Sequence, residues 1–159
     1  MKKKLKIFIN GKFYAQKLTG VQRYGRNIIS EIDQLLFEKK YSNSLEIDLI
    51  LPSDAFDVPF FRKINIKQSK YKGNHFWEQI YLVLNTLGKP LLNLSGSAPL
   101  LKKNQFITIH DAGIFETPKS YKKIFIWWYQ FLYKKIASYS NLIFTVSEFS
   151  KKRLAKYLP

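Results

Sequence analysis

Gln105-Phe106-Ile107-Thr108-Ile109-His110-Asp111-Ala112-Gly113 is the stretch on which the fold of this chain turns. Phe106, Ile107 and Ile109 make a short apolar run, the mark of a buried strand. The run then ends abruptly in an imidazole, a carboxylate and a glycine. A buried strand has no need of those groups at its tip, whereas a ligand site does. In an open α/β sheet, ligands gather outside the carboxyl ends of the strands, and His110 and Asp111 stand at such an end. The competing reading of His110 is a structural hydrogen-bonding residue.

The rest of the chain repeats the theme of short apolar runs separated by helical patterns. Residues 4–10 read as a first strand, residues 45–51 as a second halted by Pro52, and residues 63–67 as a third. Leu91-Leu-Asn-Leu94 runs into a Ser-Gly-Ser-Ala-Pro turn, and residues 141–146 form the last strand. Between them, residues 20–38 carry Val21, Tyr24, Ile28, Ile32, Leu35 and Leu36 at helical spacing, with Gln22, Arg23, Arg26, Asn27, Ser30 and Asp33 facing away. Residues 75–87 read as a helix with Phe76, Ile80, Val83, Leu84 and Leu87 inward. Residues 120–138 read as a long aromatic helix, and residues 147–158 as a last helix capped by Ser147. This pattern predicts one Rossmann-like, doubly wound α/β domain with a mainly parallel sheet. Asn10-Gly11, His110-Asp111 and Ser147-Glu148 would then share one rim.

The 159 residues are enough for one domain with a real core. No cysteine is present, which excludes disulfides and thiolate metal sites. The apolar run after Met1-Lys-Lys-Lys is too short for a secretory signal, and no segment approaches the roughly 20 apolar residues of a membrane span. A cytoplasmic protein is the expectation. The net charge of +16 is uneven: residues 1–40 carry 10 basic and 3 acidic side chains, residues 41–90 carry 6 and 5, and residues 91–159 carry 11 and 3. Such a field favours an anionic partner, whether a phosphorylated substrate, an anionic membrane surface or nucleic acid. A merely solvated lysine-rich surface is the competing account.

Five motifs in order carry a resemblance. Thr19-Gly-Val-Gln-Arg-Tyr24, Trp77-Glu-Gln79, Ala98-Pro-Leu100, Thr108-Ile-His-Asp111 and Thr145-Val-Ser-Glu-Phe-Ser-Lys151 together resemble the N-terminal half of GT-B glycosyltransferases of retaining family 4, especially bacterial mannosyltransferase-like members. The likeness runs from Ile7 to Leu158. It implies an acceptor-side Rossmann-like domain over residues 1–159, one half of a GT-B architecture. By the resemblance, the partner half, a C-terminal nucleotide-sugar domain, is expected to be absent from residues 1–159. Pro159 falls about where the family's linker would begin, so the chain by itself is expected to be inactive.

The resemblance also assigns roles. His110 would approach the transferred sugar, with Asp111 orienting it or touching the acceptor. Gly20, Val21 and Arg23 would meet the donor's phosphates at a helix start, where backbone N–H groups favour an anion. Gln22 departs from members with two glycines there. Trp77, Glu78, Ser147 and Glu148 are carried over as acceptor or cleft residues, although Ser147 by residue type is an N-cap. No cofactor or metal is implied; the nucleotide sugar is a substrate. The acceptor would be a lipid-linked saccharide for surface polysaccharide synthesis.

Helix 120–138 is too apolar for one solvated face. Ile124, Trp128, Phe131 and Tyr139 lie towards one side, while Ile126, Trp127, Tyr129 and Tyr133 lie around the back. Lys122, Lys123, Lys134 and Lys135 are interleaved, which suggests peripheral seating on the inner face of the cell membrane. Burial against the absent domain or a neighbouring helix is the other account. A non-catalytic membrane-surface module or a nucleic-acid-binding module remains the alternative function. No nucleic-acid motif is recognisable, and none is expected as a partner.

Overall fold

The computed structural model describes residues 4–38, 44–120 and 122–158, so Tyr121 of the predicted aromatic helix and the terminal Pro159 lie outside the described residues. Among these residues the apolar runs become six strands: β1 (Leu5–Asn10), β2 (Leu45–Leu51), β3 (Asn65–Gln68), β4 (Leu91–Asn93), β5 (Gln105–Thr108) and β6 (Leu142–Phe144). They form one sheet in the order β3-β2-β1-β4-β5-β6, with every neighbouring pair parallel. The chain runs outward from β1 to one edge and then returns to build the other half from β4. That reversal between β1 and β4 is the topological switch point of a Rossmann-like fold.

The helices are α1 (Gly20–Phe37), α2 (Leu82–Asn85), α3 (Gly113–Glu116), α4 (Lys123–Ala137) and α5 (Glu148–Leu154). A π-helical turn, Trp77–Tyr81, leads directly into α2. Alternate residues of one strand feed opposite sides of the sheet. Ile9, Ile47, Leu49 and Leu51 pack with Ile29 and Leu36 of α1. Phe8, Ile50 and Leu91 pack instead with Trp77 and Leu82. Ile107 is paired with Asn93, on the side of Leu91, and it packs with Leu132 and Ile136 of α4. Thus α1 covers one face while α2 and α4 share the other, as right-handed crossovers running in opposite directions require. Each fully buried Leu or Ile contributes about 1.5–3 kcal/mol.

Two helix readings are corrected. In α1 the buried residues include Gln22 and Asp33, not only the apolar stripe. Asp33 accepts backbone N–H bonds from Arg62, Lys63 and Ile64 at 2.8–2.9 Å, and so anchors the turn that starts β3. A carboxylate that ties down three amide donors is better buried than solvated.

The helical segment 75–85 is turned the other way from its predicted facing. Trp77, Glu78, Leu82 and Thr86 are buried, whereas Phe76 (60% exposed), Ile80 (45%), Leu84 (61%) and Leu87 (65%) face outward. Both sides of this segment carry apolar residues, so periodicity alone leaves its rotation open. The larger Trp77 takes the core position, where its indole N–H donates to Ser69 Oγ at 2.8 Å.

Candidate functional site

The site is built up from the floor at the switch point. Asn10 ends β1, and its amide donates to Glu78 Oε1 at 3.1 Å and to Asn93 Oδ1, on β4, at 3.0 Å. Lys12 Nζ lies 2.8 Å from Glu78 Oε2, and Ser97 Oγ donates to Glu78 Oε1 at 2.7 Å. Asn93 in turn donates to Gln105 Oε1 at 3.0 Å, and Gln105 donates to the Pro99 carbonyl at 3.0 Å. Every one of these polar side chains is buried. A buried carboxylate is tolerable only when it is paired and its lone pairs are occupied, and Glu78 meets both conditions. The result ties loop 94–100 to the carboxyl ends of β1 and β4 and to the first residue of β5.

Above this floor lies an open cleft of about 250 Å³. Its polar wall comes from Gln16, Thr19, Gln22, Ser95, His110 and Asp111, and its aromatic wall from Phe125, Tyr129 and Tyr133 of α4. Gly96 belongs to the same wall and has φ +72°, a left-handed conformation that favours glycine. His110 is half-buried; its Nε2 lies 3.1 Å from the Leu94 carbonyl oxygen, and its ring meets Tyr24 edge-on at 4.9 Å. Asp111 is exposed and accepts the Gly113 N–H at 2.7 Å through Oδ1, which shapes the start of α3. Burial, reinforced by the Glu78 carboxylate, pushes the Tyr129 phenol above its ordinary pKa, so it remains a protonated donor.

The start of α1 forms the opposite side. Gln22 Oε1 accepts the Thr19 backbone N–H at 3.2 Å, while its amide donates to Gln16 Oε1 at 2.9 Å. The glutamine in the place of a second glycine therefore serves as a capping partner. Gly20 is exposed, and a Cβ added there would meet nothing within 4 Å. Nothing among the described residues requires a glycine at that position.

The structure brings together His110, Asp111 and Val21, all of which line the cleft, with Gly20 next to it. Arg23 is exposed one turn along and is not part of the lining. Trp77 and Glu78 are core residues beneath the site and cannot touch a ligand in the cleft. Ser147 is the N-cap of α5, accepting Ser150 N–H at 3.1 Å, and Glu148 is exposed with Lys151 3.7 Å away; neither lines the cleft. Lys123, Lys134 and Lys135 are exposed on α4, and Lys122 lies just before it.

Sequence reasoning missed Tyr129 and Tyr133 as site residues, because their spacing on an aromatic helix equally suits a core. It also missed Lys12, whose partner lies 66 residues away. Among the described residues, no group of three or more His, Cys, Asp or Glu is placed to hold a metal ion. None of their helices is long and apolar enough to cross a membrane. Compared with family models, with curated proteins and with solved structures, the chain has no match.

Proposed function

We propose that this chain is the acceptor-side domain of a retaining, GT-B-type glycosyltransferase, and that its cleft holds a saccharide. The observation that carries this reading is the convergence of His110, Asp111 and the first turn of α1 on one cleft at the switch point, opposite an aromatic wall. Sugars offer hydroxyls to hydrogen-bond and apolar ring faces to pack against aromatic rings. A cleft with both kinds of wall suits them. The Nε2 of His110 is occupied by Leu94, which leaves Nδ1 to accept a sugar hydroxyl. Asp111 offers its second carboxylate oxygen, Oδ2, and Tyr129 a protonated phenol.

The donor is a nucleotide sugar, and the transferred sugar is a hexose such as mannose. Its phosphates would approach the open backbone at Gly20 and Val21, with Arg23 nearby. A second, nucleotide-sugar-binding domain supplies the donor grip, and no metal or cofactor enters the scheme. The chain's own contribution is orientation, together with stabilisation of charge as the nucleotide departs. The acceptor is a saccharide on a lipid carrier at the inner face of the cell membrane, used in surface polysaccharide synthesis. Residues 1–159 alone transfer no sugar.

Titration of the ¹⁵N-labelled chain with mannose oligosaccharides tests the binding step. Amide shifts are expected at Val21, Gln22, Gly96 and His110–Gly113, and they should disappear in His110→Ala and Tyr129→Ala. Silence at these amides at about 10 mM ligand would sink the saccharide reading. So would a cleft that responds to single-stranded DNA instead. In a version carrying a second domain, His110→Ala should lower turnover with the fold intact.

A further inference from the structure

The outward rotation of segment 75–85 leaves an apolar surface with no partner among the described residues. Phe76, Ile80, Leu84 and Leu87 stand in one stripe, between 45% and 65% exposed. On the same face of the sheet, α4 turns Ile124 (77% exposed), Trp127 (67%) and Phe131 (45%) outward. At about 100° per residue these three form a single line, with Lys123, Lys134 and Lys135 on its flanks. Edge-on contact of His75 with Trp128 at 5.9 Å joins the two helical segments. A groove of about 600 Å³ between them is lined by His75, Gln79, Ile124, Trp127 and Trp128, with Lys122 at its margin. Exposed apolar patches of this extent mark interaction surfaces.

The charge pattern says what kind of partner it is. From residue 117 to residue 147 there are five lysines and no acidic residue. Between residues 58 and 110 the only acidic residue is Glu78, which is buried and paired with Lys12. These two stretches therefore contribute an apolar ridge and only cationic exposed charges; Asp54, which accepts the Gly73 N–H at 2.8 Å, lies beside the start of the first segment. Lysine is depleted from protein–protein interfaces. At a bilayer it is favoured, because its stem lies along the apolar boundary while the ammonium reaches anionic headgroups. Tryptophan is likewise enriched at the membrane–water boundary.

We infer that the ridge of Phe76, Ile80, Leu84, Leu87, Ile124, Trp127 and Phe131 is a docking face for an anionic lipid bilayer, with both helical segments lying along its surface. This deepens the membrane part of the proposed function and does not depend on the transferase part. Phe125 and Tyr129 line both the groove and the saccharide cleft, so docking brings the cleft next to the headgroups. A saccharide on a lipid carrier would then reach His110 without leaving the bilayer.

Flotation with phosphatidylglycerol–phosphatidylcholine vesicles, against pure phosphatidylcholine, tests the inference at low and high salt. The chain should float with the anionic vesicles, less so at high salt. Trp127→Ser combined with Phe131→Ser, and separately Leu84→Ser with Leu87→Ser, should each lower binding at least tenfold. These side chains are exposed, so circular dichroism should stay unchanged. Glutamine at positions 123, 134 and 135 should lower binding about fivefold for each lysine that faces lipid. Phe149→Ser, at a residue 72% exposed on α5, is the control and should change nothing. The inference is overturned by absent binding or by binding indifferent to the ridge variants. It is overturned equally if the chain sediments as a dimer that the same variants dissociate, because the ridge would then cover a second copy. Transfer or saccharide binding can fail without touching this result.

Discussion

Nε2 of His110 lies 3.1 Å from the carbonyl oxygen of Leu94. A carbonyl can only accept, so the neutral ring carries its proton on Nε2 and presents Nδ1 as an acceptor. Long-range ¹H–¹⁵N spectra of the neutral ring should therefore show the Nε2-protonated tautomer. A ring protonated on Nδ1 would contradict the contact and remove the acceptor role. His110→Phe should keep the packing against Tyr24 and still lose saccharide binding, because it has no nitrogen to offer.

Glu78 and Lys12 form a buried ion pair just beyond the carboxyl end of β1. Glu78→Ala leaves the ammonium of Lys12 without its counter-charge and should cost about 3–5 kcal/mol in urea unfolding. Replacing both by methionine should cost markedly less than the sum of the single changes. Additive losses would mean that the pair is not coupled.

Three glycines should respond differently to alanine. At Gly11 a Cβ would lie 2.5 Å from the Ile50 carbonyl oxygen, a backbone atom that cannot step aside, so Gly11→Ala should cost about 1–3 kcal/mol or more. Gly96→Ala pays for φ +72° and presses on Tyr133 Oη at 3.0 Å, for a loss of about 1–2 kcal/mol together with a disturbed cleft. Gly20→Ala meets open space and should leave stability unchanged or slightly higher, while weakening any phosphate approach. Thermal melts of the three variants separate these cases.

Burial pushes the Tyr14 phenol up to about 12, with nearby Arg26 lowering it slightly. The folded state thus holds this proton more tightly than the unfolded chain, whose tyrosines titrate near 10. The associated stability is fully present below about pH 10 and is lost as pH rises towards the folded value. Tyr14→Phe should flatten that alkaline loss. It should also cost little at neutral pH, because the buried hydroxyl has no hydrogen-bond partner among the described residues.

Asp48 behaves in the opposite sense at low pH. Burial raises its pKa, but bonds from Lys67, Lys6 and Asn65 together outweigh burial and hold the group below its ordinary value. A depressed carboxylate stabilises the fold above the unfolded pKa, and that contribution disappears as pH falls through the folded one. Asp48→Asn should make acid unfolding less steep. An unaltered acid limb would show that the lysines are too well solvated to matter.

The sequence by itself determined the fold class and most element boundaries, because these depend on local patterns. The apolar run Leu45–Leu51 is β2 to the residue, and the spacing from Val21 to Leu36 marks α1 within a residue of its end. The polar tips of β1 and β5 also pointed to one rim of the sheet, since a parallel sheet puts all its carboxyl ends on one edge. What tertiary structure alone decided is which face of each helix turns inward. Segment 75–85 has apolar residues on both sides, and the winner was set by Trp77 filling the space beside Phe8 and Leu91 and by Glu78 meeting Lys12. Asp33 reads as a solvated residue until Arg62, Lys63 and Ile64 bring it their amides. Likewise, Tyr129 and Tyr133 become a cleft wall only once α4 lies beside loop 94–100. These outcomes rest on contacts between residues dozens of positions apart, and the periodicity of a single segment carries no information about its distant partners.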